Sequence, residues 1–391
     1  MNVIKKWNPF ENEYKKNPYK NYKQLMEDNS TYQISSKIEM IMSYDMIVEI
    51  LNNDNFIAPG LQDEISRYCP TFKEIFSNWL FVINGKKHLS ARKFIMRHWN
   101  VDKLKNNVDE IVKNLINKTS ENELDIADKY AKLIPTYAMI KYFNQDFNIS
   151  NEIITYASLL QQVIELFNSK EDFLDIEKAC LKFKCMLIEE LESGSNVFFN
   201  QLFDCLDSND DRKNVFASII MMIYTTTIFT TSAQILLSTH ALLKSPIQKE
   251  YFINNYSQKN SSIIQEFLRY DSPVQLVSRV NIEEAKIEGK TFDRGTHFFL
   301  NLGAANRDKT NFPDPDCLKL NRPYMNNLAF GGGAHYCIGA SLAKHTVGAT
   351  IKALLETFPS LELNSNLHVT WERGISPVSY THLTLPTTPY V

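Results

Sequence analysis

Residues Phe330–Thr346 read FGGGAHYCIGASLAKHT: three consecutive glycines, a histidine, and a lone cysteine where an apolar-patterned helix begins. Glycine has no Cβ and tolerates positive φ, so Gly331, Gly332, Gly333 and Gly339 let backbone approach something flat and large around Cys337. The pattern predicts a helix beginning near Ile338, whose free N–H groups and positive end favour thiolate over thiol.

A thiolate so held is a soft, strongly donating axial ligand for haem iron. Other readings of the loop stand beside this one. A phosphate loop needs Lys and Ser/Thr after the glycines, which CIGA does not supply. A structural zinc needs further ligands at short spacing, and only His335 is near. A plain buried cysteine after a flexible loop remains open on these residues alone.

The rest of the chain bounds the possibilities. Its 391 residues, 44% hydrophobic and 22% charged, are enough for a large buried core. A net charge of −3 gives no bulk attraction to nucleic acid or anionic membrane. The six cysteines include no C-x-x-C pair and the first residues lack a signal peptide's apolar core, which predicts a reduced, cytoplasmic protein. Val215–Leu243 contains no Asp, Glu, Lys or Arg and is long enough to cross a bilayer. Its centre, however, carries Thr225, Thr226, Thr227, Thr230, Thr231, Ser232 and Gln234, which lipid would penalise. The expectation is a helix of about 40 Å through a large helical body, ending near Pro246. Apolar spacing of three and four residues predicts amphipathic helices from Tyr44 to Tyr270. After Asp271-Ser-Pro, short runs with glycines at turn spacing predict small hairpins. No repeat or second hydrophobic core is visible, so one domain is expected.

Phe330 to Ala343 matches every fixed position of F-G-x-G-x-H-x-C-x-G-x-x-L-A, and on this the chain resembles the cytochrome P-450 family, in its soluble bacterial form. The likeness runs from NPFENEYKKNPYKNYKQL through EFLRYDSPVQLVSRV and LNLGAANRDKTNFPDPD to the cysteine loop. It implies a mainly α, triangular, helix-rich single domain with a small β region, binding one haem b. Cys337 would then be the iron ligand, with Phe330, Gly331 and Gly339 shaping its loop. His88 and Arg92, matching H-x-x-x-R, would hold the haem propionates with Arg279 and His335. Glu266 and Arg269 match the E-x-x-R pair that braces the loop. Its usual arginine partner is replaced by Cys317, for which Arg322 is the candidate substitute. The resemblance further implies a monomeric monooxygenase. It would oxidise a small apolar or amphipathic metabolite with electrons from a separate ferredoxin or flavodoxin, docked near Arg92, Arg97 and Lys344. Substrate contacts are expected from Phe56–Trp79, Phe229, Val274 and Val277.

One motif departs. The family's A-G-x-D/E-T-T becomes Thr226-Thr-Ile-Phe-Thr-Thr231, with Phe229 in the place of the acid that relays protons. Thr227, Thr230, Thr231 and Gln234 form one helical stripe expected to face the site, against the plainer expectation that they bond carbonyls one turn back. Phe229 suggests two alternatives: a peroxide-driven or atypical enzyme performing desaturation, coupling or rearrangement, and a non-catalytic haem-binding or partner-recruiting protein. The tail, residues 378–391, reads as translated sequencing adapter, so the family domain is expected to span 1–377 and to lack its native last strand.

Overall fold

The computed structural model describes residues 7–363 except 10, 12–13, 15–16, 61–66, 117–122, 165–168 and 207–210, together with 370–371, 380–382 and 384–386. Its helices are α1 (Pro18–Asp28), α2 (Tyr44–Leu51), α3 (Pro70–Phe76), α4 (Gly85–His98), α5 (Val101–Ile116), α6 (Leu133–Tyr142), α7 (Ser150–Gln161), α8 (Lys170–Glu192), α9 (Val197–Asp204), α10 (Arg212–Leu243), α11 (Pro246–Tyr270), α12 (Leu302–Ala305) and α13 (Ala340–Thr357). Local signals set several of these ends. Ser169 and Asp172 form a reciprocal capping box at the start of α8. Pro246 ends the α10 pattern and opens α11, which kinks at Lys259.

The charge-free stretch lies in α10, a 32-residue helix. In its most apolar window 72% of residues are buried by other protein, so it is a core helix and not a membrane span. It packs against α7, α8, α11 and α13, and α13 follows directly from the cysteine loop. Position on the main core is thus shared by the two elements on which the site depends.

The expected hairpin is present: Ala285–Ile287 pairs with Lys290–Phe292, turning through Glu288 and Gly289 at φ 45° and 82°. The principal sheet reaches further than the sequence indicates. Thr31–Ser35 (β1), Ile38–Ile41 (β2), His297–Asn301 (β8), Leu276–Asn281 (β5) and Phe56–Ile57 (β3) lie in that order, with β2 parallel to β8. The sheet has its own core of Ile41, Ile47, Ile50, Phe298 and Leu300, separate from the helical one. A third cluster gathers Tyr14, Tyr22, Met40 and Met42. The expectation of a single core is therefore corrected: apolar positions contributed by both ends of the chain cannot be recognised as one cluster until β2 pairs with β8.

Near the C-terminus, Tyr380–His382 pairs with Thr370–Trp371, and Thr384–Pro386 pairs with Glu123–Asp125. This pairing lies within the tail that the sequence reading set apart from the fold; backbone pairing says nothing of the tail's origin.

Candidate functional site

The glycine loop is held by backbone contacts that side chains would block. Gly331, at φ 67°, donates to the Leu328 carbonyl at 2.8 Å. Gly333, at φ 62°, passes so near α2 that a Cβ there would lie 1.9 Å from the Leu51 carbonyl oxygen. Cys337 N–H donates to the Phe330 carbonyl at 3.1 Å and closes the loop. The helix starts at Ala340 with Gly339 as its cap, two residues later than Ile338.

The Cys337 side chain has free surface yet sits deep among protein atoms, as a group lining an interior recess does. Its thiol does not behave as the sequence suggests. Burial pushes its pKa up, and this outweighs the lowering by the Gly339 N–H, the Arg92 charge and the Ala340 N–H. The helix-end effect is real but loses to desolvation. A metal cation bonded to the sulfur is what would hold such a group as thiolate.

Arg92 acts on this sulfur, and His88, Arg279 and His335 cluster with Arg92. His88 is 2% exposed and its ring lies 4.1 Å from that of His335, centroid to centroid. The His88 Nε2 atom is buried with no hydrogen-bond partner among the described residues. Arg279, on β5, is 7% exposed and among the described residues bonds only the Ser278 carbonyl, at 2.8 Å. Burial pushes its guanidinium down to about 10. His335 is pushed down to about 4 by burial, then by the charges of Arg279, His88 and Arg92 against the Leu80 carbonyl that accepts from it. Arg92 lies one turn from His88 on α4. Among the described residues no carboxylate pairs with any of these four. Buried cations are ordinarily paired, so the cluster fits a ligand carrying two carboxylates. The two propionates of a haem would meet that requirement.

The brace is complete. Glu266 and Arg269, 3% and 2% exposed, form a two-pronged pair at 2.7 and 2.9 Å. Arg322 Nε donates to the same carboxylate at 3.0 Å, so it does fill the third position that Cys317 leaves. Arg269 also donates to the carbonyls of Asn306, Pro315 and Cys317, and Lys319 N–H to Glu266, tying α11 to the segment leading to the loop.

The α10 stripe is divided. Thr226, Thr227, Phe229 and Thr230 are half-exposed in the middle of an otherwise buried helix, whereas Thr231 and Gln234 are buried. Gln234 turns to the Ser238 hydroxyl at 2.8 Å and the Asp271 carbonyl at 3.1 Å. Thr226 and Thr230 do bond carbonyls one turn back, Met222 at 2.7 Å and Thr226 at 2.6 Å. Thr226 was not in the expected stripe. Val277 shares the β5 face of Arg279 and packs on the sheet core, and Val274 is half-buried before it. Of Phe56–Trp79, residues 61–66 lie outside the described residues, and Phe72, Ile75 and Trp79 belong to the main core.

A deep cysteine at a helix mouth, with Arg92 acting on it and Arg279, His88 and His335 clustered with Arg92, has the donor set that a haem-thiolate site needs. Residues 261–369 match the family model described as Cytochrome P450. The chain is 25% identical over 375 residues to a putative cytochrome P450 133B2 of Xylella fastidiosa, covering 92% of this chain and 93% of that one. It is 25% identical over 339 residues to the 6-deoxyerythronolide B hydroxylase of Saccharopolyspora erythraea, covering 83% and 82%. The fold is that of P450BioI, solved with an acyl carrier protein bearing a hexadecenoic acid, at TM-score 0.87 and 22% identity over 96% of this chain and 99% of that one. These matches are all to cytochrome P450s, a family of monooxygenases whose cofactor is haem b bound through a thiolate.

Proposed function

We propose that this protein is a cytoplasmic, monomeric, O2-dependent monooxygenase. It takes electrons from a separate ferredoxin or flavodoxin and oxidises a small apolar or amphipathic metabolite. The carrying observation is the cluster of buried Arg279 and His88 with half-buried Arg92 and His335, which no described carboxylate pairs, and of which Arg92 acts on the deep Cys337. In this reading Cys337 ligates the iron, with Phe330, Gly331 and Gly339 shaping its loop, and the four cationic or N–H side chains receive the propionates. Glu266 and Arg269, with Arg322, hold the loop's approach. Haem supplies reductive activation of O2 there. Thr227 and Thr230 border the substrate from α10, backed by buried Thr231, and Phe229, Val274 and Val277 shape its apolar surround. Arg92, Arg97 and Lys344 mark the side for an acidic electron donor. Relatives named as a polyketide biosynthesis cytochrome P450 and a 6-deoxyerythronolide B hydroxylase support a secondary metabolite as substrate.

The decisive experiment reduces the haem-loaded protein under carbon monoxide. A strongly red-shifted band is expected from thiolate ligation, and its absence overturns the assignment. Product formation is then compared between NAD(P)H with surrogate redox proteins and peroxide alone. Phe229 favours the peroxide-driven route as the second reading, because the family's acid is missing there. Residues 378–391 are proposed to be non-native, which resequencing the source locus tests.

A further inference from the structure

The accessible surface of α10 has a specific chemical character. Four residues in the helix centre, Thr226, Thr227, Phe229 and Thr230, are half-exposed, and at 100° per residue they form one patch. Their neighbours Thr225, Ile228 and Thr231 are buried. None of the four can ionise.

Each hydroxyl has one proton to give. Thr226 spends its proton on the Met222 carbonyl and Thr230 on the Thr226 carbonyl, at 2.7 and 2.6 Å. Their oxygens therefore keep lone pairs but no free proton, and can meet a ligand only as acceptors. Thr227 has no bond from its hydroxyl to any described residue and can complete a pair in either direction. Phe229, beside them, offers only apolar contact.

We infer that Thr226, Thr227 and Thr230 select a neutral substrate that presents an alcohol hydroxyl to α10 on an otherwise apolar body. This deepens the proposed function and rests on it. A hydroxyl matches the patch because it donates to an acceptor oxygen and lies against Phe229 without carrying charge. An ether or an alkane leaves the acceptors unanswered in a partly dehydrated site. A carboxylate has no proton for them and finds no cation on the patch.

The test uses haem-loaded protein and isothermal calorimetry with n-dodecanol, methyl undecyl ether and dodecanoate, which share chain length and differ at one end. Dodecanol is expected to bind about 5–10-fold more tightly than the ether, the worth of one hydrogen bond. Thr226→Val, Thr227→Val and Thr230→Val together keep shape, remove all three oxygens, and are expected to bring the ratio to about 1. Thr230→Ser keeps the oxygen and is expected to keep the preference, which separates lost recognition from general damage. Equal affinity of alcohol and ether, tightest binding of dodecanoate, or a preference surviving the triple valine variant each overturns the inference. The carbon monoxide band is recorded on the same samples. A missing band in the unmodified protein sinks the haem-thiolate reading, whereas a normal band without alcohol preference sinks only the inference.

Discussion

The cysteine loop and the centre of α10 lie on elements packed against each other, yet they obey opposite rules. From Phe330 to Ala340 the backbone sets the requirements: Gly331 and Gly333 take positive φ, Gly333 has no space for a Cβ, and Cys337 N–H returns to Phe330. Substitution there breaks geometry. In Thr226–Thr230 the helix is regular, and what varies is only the side chain offered to the accessible face. Geometry constrains the first region and chemistry is free to change in the second. This is why a chain can keep every fixed position of the loop and lose the acid on the helix.

The sharpest way to break that contrast is Cys337→Ser. A serine oxygen is a poor, ordinarily protonated ligand, so the red-shifted ferrous carbonyl band should vanish completely. Cys317→Ser, which leaves the Cys317 carbonyl bonded to Arg269 and Arg322, should keep the band. Reversed behaviour would place the iron elsewhere.

Next in size is Glu266→Ala. It leaves two buried guanidinium groups facing each other without their carboxylate and should cost about 3–5 kcal/mol. A lower denaturant midpoint with unchanged slope is the expected result. A shift no larger than that of an exposed Glu→Ala control would show that Arg269 and Arg322 are satisfied by carbonyls alone.

Arg279→Ala should be smaller in effect. It removes one donor to a buried carboxylate, so haem transfer to an acceptor protein should quicken by about tenfold while the thiolate band persists. His335→Ala should act in the same direction. Unchanged transfer rates in both variants would mean that the cation cluster serves something other than the propionates.

The smallest expected change sharpens the other side of the comparison. If Phe229 were a defect, Phe229→Asp would restore a relay worth about 100-fold in turnover. A helix whose chemistry has instead been rebuilt around hydroxyls should gain little, and product per NAD(P)H should change less than about twofold. A large gain in coupling would show α10 to be impaired and not redesigned.

The same contrast explains what could be read in advance. Each fixed position of the loop answers a local demand, so the residue types alone disclose it, and His88 with Arg92 follows from one-turn spacing. Arg322 could be nominated as the third partner of Glu266 because one cation was missing, although only the fold brings it to 3.0 Å. The α10 face was misjudged by a single step of rotation. Thr226 is accessible and Thr231 is not, because neighbouring helices fix how α10 is turned and no pattern within it records that. The thiol pKa failed for a related reason: helix-end charge is local and legible, whereas the depth of burial that outweighs it belongs to the whole molecule. The strands at Thr31–Ile41 were missed because their partner, β8, lies far along the chain.

The near-contact between Gly333 and the Leu51 carbonyl also sets an order in time. Leu51 leaves the ribosome long before Gly333 is made, so the seat against which the loop closes must wait, folded or guarded, for nearly the whole of synthesis. A contact of such sequence separation closes late and slowly. Haem insertion, which needs the finished loop, then becomes one of the last events in maturation. Expression at limiting haem should accumulate a species whose principal sheet is already protected from proteolysis while the loop around Cys337 is still cleavable.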